Sequence, residues 1–195
     1  MKSILQNARL LAFAVMMSAA STAIAQEAPI RYQPDPDSPI GERNPKGPAE
    51  LSQFDFVIGD WDVEITYRPP QGDPVTYKAQ WHNHWVVDGF VVMQEWRGPY
   101  QTGAEMRAWN AKEKRWEGKN IYSGRTWRTT HAEFVGAEMK VYIEDAADQT
   151  GPHINRETYF DISGDRFQMK SDKSYDEGET WVRGDYEMVA VRRKA

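Results

Sequence analysis

The chain is predicted to fold as all-β: a single up-and-down antiparallel barrel of about ten strands with one short helix near one mouth. Three observations carry that expectation. From Trp61 almost to the C-terminus apolar and polar residues alternate with a period of two, the connections are hairpin-sized, and no segment is long enough for a helical crossover between parallel strands. An open sheet of that length would leave two unpaired edges, whereas closure removes both.

The elements follow in chain order. Lys2 and Arg9 precede an apolar run from Leu10 through Ala20 and the small residues Ala23-Ile24-Ala25. That order is expected for a secretory signal peptide, 1–25, cut after Ala25. The run is too short for a permanent membrane span, so the mature chain is expected to be periplasmic or secreted, with no integral membrane segment. The chain has no cysteine, so neither a disulfide nor a lipidated cysteine is available. Residues 26–49 contain Pro29, Pro34, Pro36, Pro39, Pro45 and Pro48, the composition of an extended leader. Leu51, Phe54 and Ile58 then recur at helical spacing, with Gly59 in the position of a left-handed cap.

Strands are expected at 61–68, 75–87, 90–97, 104–110, 115–122, 125–135, 138–146, 153–163, 166–175 and 180–192, making one barrel domain over 50–195. Asp88-Gly89 suits a type I′ turn; Gly136-Ala137 and Gly164-Asp165 suit type II′. The turn Ser174-x-Asp176-x-Gly178-x-x-Trp181 matches one familiar from sialidase propellers, where it stabilises a bend outside the active site.

Loss of Lys2 and Arg9 leaves 22 basic residues against 29 acidic, a formal charge of −7. Nucleic acid is therefore not an expected partner. There is no glycine-rich phosphate loop, no Gly-x-Ser-x-Gly elbow and no thiol nucleophile.

The segment Phe54-Asp55-Phe56-Val57-Ile58-Gly59-Asp60-Trp61-Asp62-Val63, the Asp88-Gly89 turn with Glu95-Trp96, Trp116, and the late Ser171-Asp172 and Gly178-Glu179-Thr180-Trp181 resemble a secreted bacterial family. That family is similar to lipocalins and other calycins, in which a Gly-x-Trp motif begins the first strand. The resemblance spans about residues 50–192; it implies the barrel and leaves the chemistry open. Haem-binding nitrobindin-like proteins have barrels of similar shape, but no haem-ligand motif aligns, and no cofactor is expected.

The Asp88-Gly89 turn sets a register in which cross-strand partners sum to 177, so Trp81 faces Trp96, Trp85 faces Val92, His84 faces Met93 and His82 faces Glu95. One face collects Trp81, Asn83, Trp85, Gln94 and Trp96; with Trp116 these are the expected ligand-binding residues, able to sandwich an aromatic molecule. Plain core filling is the competing role. The other face collects His82, His84 and Glu95, which with Tyr122 form the candidate catalytic set: an imidazole base oriented by a carboxylate, and a phenol as acid or hydrogen-bond donor. An outward, solvated face is its alternative. His131 and His153 lie elsewhere, so no metal site is expected. Arg107, Arg128 and Arg156 alternate with apolar neighbours and are candidates to enter the lumen.

The expected function is capture of a small apolar or aromatic ligand in the lumen. The alternative is a cofactor-independent lyase, isomerase or hydrolase using the histidines.

Overall fold

The computed structural model describes residues 40–194; the expected signal peptide and most of the leader lie outside them. A 3₁₀ helix, Ala49–Val57, precedes ten strands: β1 Gly59–Tyr67, β2 Val75–Val86, β3 Val91–Arg97, β4 Thr102–Asn110, β5 Arg115–Tyr122, β6 Arg128–Val135, β7 Glu138–Asp148, β8 Gly151–Phe160, β9 Arg166–Ser174 and β10 Val182–Arg192. Every strand pairs antiparallel with its sequence neighbour, and β1 pairs with β10, so the barrel is closed and up-and-down. All ten expected strands are present.

The helix is wound more tightly than expected, for a reason visible in its side chains. Leu51, Phe54 and Val57 are the buried residues, and a spacing of three matches the three-residue turn of a 3₁₀ helix. Ile58 is instead the extended residue after the helix. Gly59 is not a helix cap either. It has φ +117 at the head of β1, where an added Cβ would stand 2.3 Å from Nη1 of Arg192.

The helix plugs one end of the barrel. Leu51, Phe54 and Val57 pack onto Trp61, Trp85 and Trp116, with Phe54 meeting the Trp116 ring edge-on at 4.7 Å. The carbonyl of Val57, left without an intrahelical donor, accepts from the Trp61 indole at 2.7 Å and from Asn83 Nδ2 at 2.9 Å. The Trp116 indole donates to Gln53 Oε1 at 3.0 Å. Burial of each such indole contributes roughly 1.5–3 kcal/mol, so this plug is a stable floor.

The β2–β3 register is as expected: Trp81–Trp96, His82–Glu95, His84–Met93 and Trp85–Val92. Its turn differs, being a four-residue loop in which Val87, Asp88 and Gly89 all have positive φ. Register survives because both turns are centred between Asp88 and Gly89. A stretch of the span read as leader holds the loop in this form: Asn44 N–H donates to the Gly89 carbonyl at 3.1 Å, and Asn44 Nδ2 to the Asp88 carbonyl at 2.9 Å. Gly136 has the positive φ of a type II′ first position, with Val135 paired to Glu138. Gly164 does not; the positive φ of that connection belongs to Asp161. The Ser174–Trp181 segment is the expected polar turn, in which Asp176 accepts from Ser174 and Thr180, and those hydrogen bonds draw its carboxyl down to about 2.

Two glycines separate local strain from packing. Gly89→Ala and Gly136→Ala each force a Cβ onto a left-handed residue, at about 1–2 kcal/mol. At Gly136 nothing lies within 4 Å, whereas at Gly89 the new Cβ would stand 2.2 Å from Asn44 N. In urea unfolding Gly89→Ala is expected to lose at least about 1 kcal/mol more than Gly136→Ala, and equal losses would show that residues 41–44 do not hold the turn.

Candidate functional site

The inner wall divides into two halves. Near the plug, Trp61, Trp85, Trp116, Phe167 and Met139 are packed against one another and have at most 2% of their surface exposed. Trp61 and Phe167 meet edge-on at 4.7 Å, and Trp81 contacts Trp96, Tyr159 and Phe167 at 6.1–6.3 Å. This half is core. Towards the other end the inward positions become polar: Gln94 on β3, Glu105 and Arg107 on β4, Asn120 and Tyr122 on β5, Thr130 on β6, Asn155 and Glu157 on β8, and Tyr186 on β10. Tyr122, Glu157 and Tyr186 point inside the closed wall and still keep accessible surface. They line the inner wall on the mouth side of the packed half.

Hydrogen bonds organise this ring. Arg107 is 2% exposed; its Nη2 lies 2.5 Å from Glu105 Oε2 and its Nε donates to Gln94 Oε1 at 3.1 Å. Thr130 Oγ1 donates to the second Glu105 oxygen at 2.8 Å. Across the lumen, Glu157 accepts from Tyr159 at 3.0 Å and from Tyr186 at 2.6 Å, and Tyr186 accepts from Asn155 at 3.0 Å. Glycines make room for the larger groups. At Gly103 a Cβ would lie 2.3 Å from the Tyr122 ring, and at Gly118 it would lie 2.6 Å from Thr130 Oγ1.

Electrostatics follow from burial. Desolvation pushes the Glu157 carboxyl up, and the nearby Glu105 charge adds to that against the Tyr186 hydrogen bond and Arg107. Burial alone would lower the Arg107 pKa, but Glu105, with Tyr159 and Glu157, outweighs it and holds the guanidinium above its ordinary value. The phenols of Tyr122, Tyr159 and Tyr186 are raised by burial first and then by Glu157. Nearer the mouth, burial alone would lower the Lys173 pKa, but Asp148 and Asp185, at 2.8 and 2.7 Å, outweigh it and hold the ammonium above its ordinary value.

The expected ligand-binding residues Trp81, Asn83, Trp85, Gln94, Trp96 and Trp116 all face inward. Trp85 and Trp116 lie in the packed half, Asn83 anchors the plug, Gln94 holds Arg107, and Trp96 borders the open half. Tyr122 also faces the lumen. Of the other three expected catalytic residues, His82 and Glu95 face out: His82 has half its side chain exposed and pairs with Asp60, while Glu95 pairs with Arg97 at 2.7 Å. His84 shares that side of β2, its ring 4.9 Å from His82. The structure thus does not bring the histidines together with Tyr122; the wall stands between them. Among the described residues no three His, Asp or Glu side chains form a metal-ligand set. Of the arginines, Arg107 is inside, Arg128 stands at the mouth, and Arg156 is outside, stacked 3.8 Å from the Trp181 ring. Two clefts in the outer wall, beside Glu64, Lys170 and Glu187 and beside Asp62, Lys78 and Arg97, contain none of the lumen groups.

Glu105, Glu157, Tyr159 and Tyr186 were not singled out by the sequence. The pairing Trp109–Trp116 on β4 and β5 was the available signal, since an inward Trp116 carries Trp109, Arg107 and Glu105 inward with it.

No known sequence family matches the chain, and no curated protein sequence does. Solved structures do. The barrel is similar to Rv2717c from M. tuberculosis, with a TM-score of 0.53 and 12% identity over 75% of this chain and 99% of that one. It is also similar to the S-type phycobiliprotein lyase CPES from Guillardia theta, with a TM-score of 0.52 and 12% identity over 74% of this chain and 92% of that one. At such identity the likeness establishes a shared barrel fold and nothing further.

The raised Glu157 carboxyl has a consequence for stability. Its neutral form suits the folded state, so its contribution is complete below the ordinary carboxylate range and is lost as pH rises through its folded pKa. Urea unfolding from pH 5 to 8 should show wild type losing stability relative to Glu157→Gln as pH rises. Parallel pH profiles would show that Glu157 does not titrate differently in the two states.

Proposed function

We propose that the protein captures a small, mainly apolar or aromatic molecule in the open half of the barrel, as an exported protein of the periplasm or extracellular medium. The observation that carries this reading is the set of inward aromatic groups Tyr77, Trp96, Tyr122 and Tyr186, which keep accessible surface inside a wall that is closed around them and plugged beneath. Buried aromatic side chains pressed together make a core; aromatic side chains around a space make a ligand wall.

The packed tryptophans refine the expectation. Trp85 and Trp116 serve as floor, and Trp96, with the edge of Trp81, presents indole surface to a ligand. Asn120 and Tyr122 supply polar contacts beside the Glu105–Arg107 pair. The comparison adds support: a barrel of this shape is also the fold of a phycobiliprotein lyase. Export is supported by the charged start, apolar run and small residues up to Ala25. The acidic balance argues against nucleic acid.

The uncharged fluorophore N-phenyl-1-naphthylamine tests lumen binding. Saturable one-to-one binding is expected, weakened about tenfold, or ~1.4 kcal/mol, by Trp96→Ala or Tyr122→Ala and unchanged by His82→Ala on the outer wall. Absence of saturable binding rejects the reading. For export, fractionation of bacteria expressing the full chain should recover a product beginning at Gln26 outside the cytoplasm, and an uncut cytoplasmic product would contradict it.

A further inference from the structure

The proposed lumen site has a chemical bias that its aromatic walls alone do not explain. Deep in the lumen a pair of carboxylates, Glu105 and Glu157, faces a single guanidinium, Arg107, and that guanidinium is committed to Glu105 and Gln94. Among the described residues Glu157 has no cation in hydrogen-bond contact, only the two phenol donors Tyr159 and Tyr186. Lys173 does not correct the imbalance, because it is held by Asp148 and Asp185. Arg128 shares the inward direction but stands at the mouth, at the first residue of β6.

A second, independent observation points the same way. Asn120 is 4% exposed, sits opposite Glu105 on the inner wall, and its Oδ1 is buried without a hydrogen-bond partner. An unpaired buried acceptor calls for a donor. One inward donor, the Trp96 indole N–H, is also unpaired, at the edge of the same space.

The walls complete the pattern. Tyr77, Tyr122, Tyr186 and Trp96 share the inward side with the carboxylates and keep accessible surface, and the negative faces of phenol and indole rings favour a cation over an anion. We propose that the ligand of this lumen is an aromatic or apolar molecule carrying a basic nitrogen, with its ammonium group directed at Glu157 and Glu105, an N–H donated to Asn120 Oδ1, and its apolar body against Trp96 and Tyr122. The inference rests on the lumen-binding reading and adds the charge of the ligand to it. An anionic ligand finds Arg107 and Lys173 already paired and Arg128 only at the mouth, and a neutral hydrocarbon leaves Asn120 unpaired.

Three probes of one shape separate these cases by isothermal titration calorimetry at pH 7.5 on the mature chain: 1-naphthylmethylamine, 1-ethylnaphthalene and 1-naphthoate. The amine is expected to bind about tenfold tighter than the hydrocarbon and tighter still than the carboxylate. In Glu157→Gln the advantage of amine over hydrocarbon is expected to shrink below about threefold. Equal binding of amine and hydrocarbon, or a preference for the carboxylate, overturns the inference while leaving the lumen as a binding site. If none of the three binds, the lumen reading falls and this inference with it. The ranking on the wild-type chain decides the matter even where Glu157→Gln does not fold.

Discussion

Seven residue pairs, from Trp61–Arg192 to Tyr67–Tyr186, join β1 to β10, and through them a ten-stranded sheet acquires an inside. Without that ladder the indoles of β1, β2 and β5 would line an exposed face beside two unpaired edges. With it they become a floor. The same ladder brings Arg192 across the start of β1, where its guanidinium lies 4.3 Å from the Trp61 ring and donates to the Ile58 carbonyl at 2.7 Å. The last strand thereby holds the exit of the helix that plugs the barrel.

The plug decides where space is left. A 3₁₀ helix presents one residue in three to a single line, and Leu51, Phe54 and Val57 fill one end of the barrel along that line. The indoles of Trp61 and Trp116 then find their acceptors on the helix and its side chains. Polar side chains point inward only beyond this half. There, each charge is paired or hydrogen-bonded, which is the condition for keeping Glu105, Arg107 and Glu157 inside a protein.

Such an interior differs from a hydrophobic barrel in the ligand it suits. Its base is rigid and aromatic, its upper ring is rich in acceptors, and its mouth lies among the odd-numbered connections between strands, away from the helix. The outward histidines belong to a different surface. His82 with Asp60, and His131 stacked on Tyr142 at 4.7 Å, lie on the wall exterior and share no space with the lumen groups.

Alternation, short turns and the Trp81–Trp96 register were determined by the sequence alone, because strand period and turn centre are local properties that neighbouring residues impose on each other. Which polar residues enter the barrel was decided only by tertiary structure. On β4 the inward residues are Gly103, Glu105, Arg107 and Trp109, and the outward ones Ala104, Met106 and Ala108, so hydrophobicity points the wrong way. On β8 the inward side is His153, Asn155, Glu157 and Tyr159. An inward glutamate is tolerated only where partners meet it: Glu105 is met by Arg107 of its own strand and Thr130 of β6, Glu157 by Tyr159 of its own strand and Tyr186 of β10, and of these Thr130 and Tyr186 lie 25 and 29 residues away in the chain. Closure brings them together.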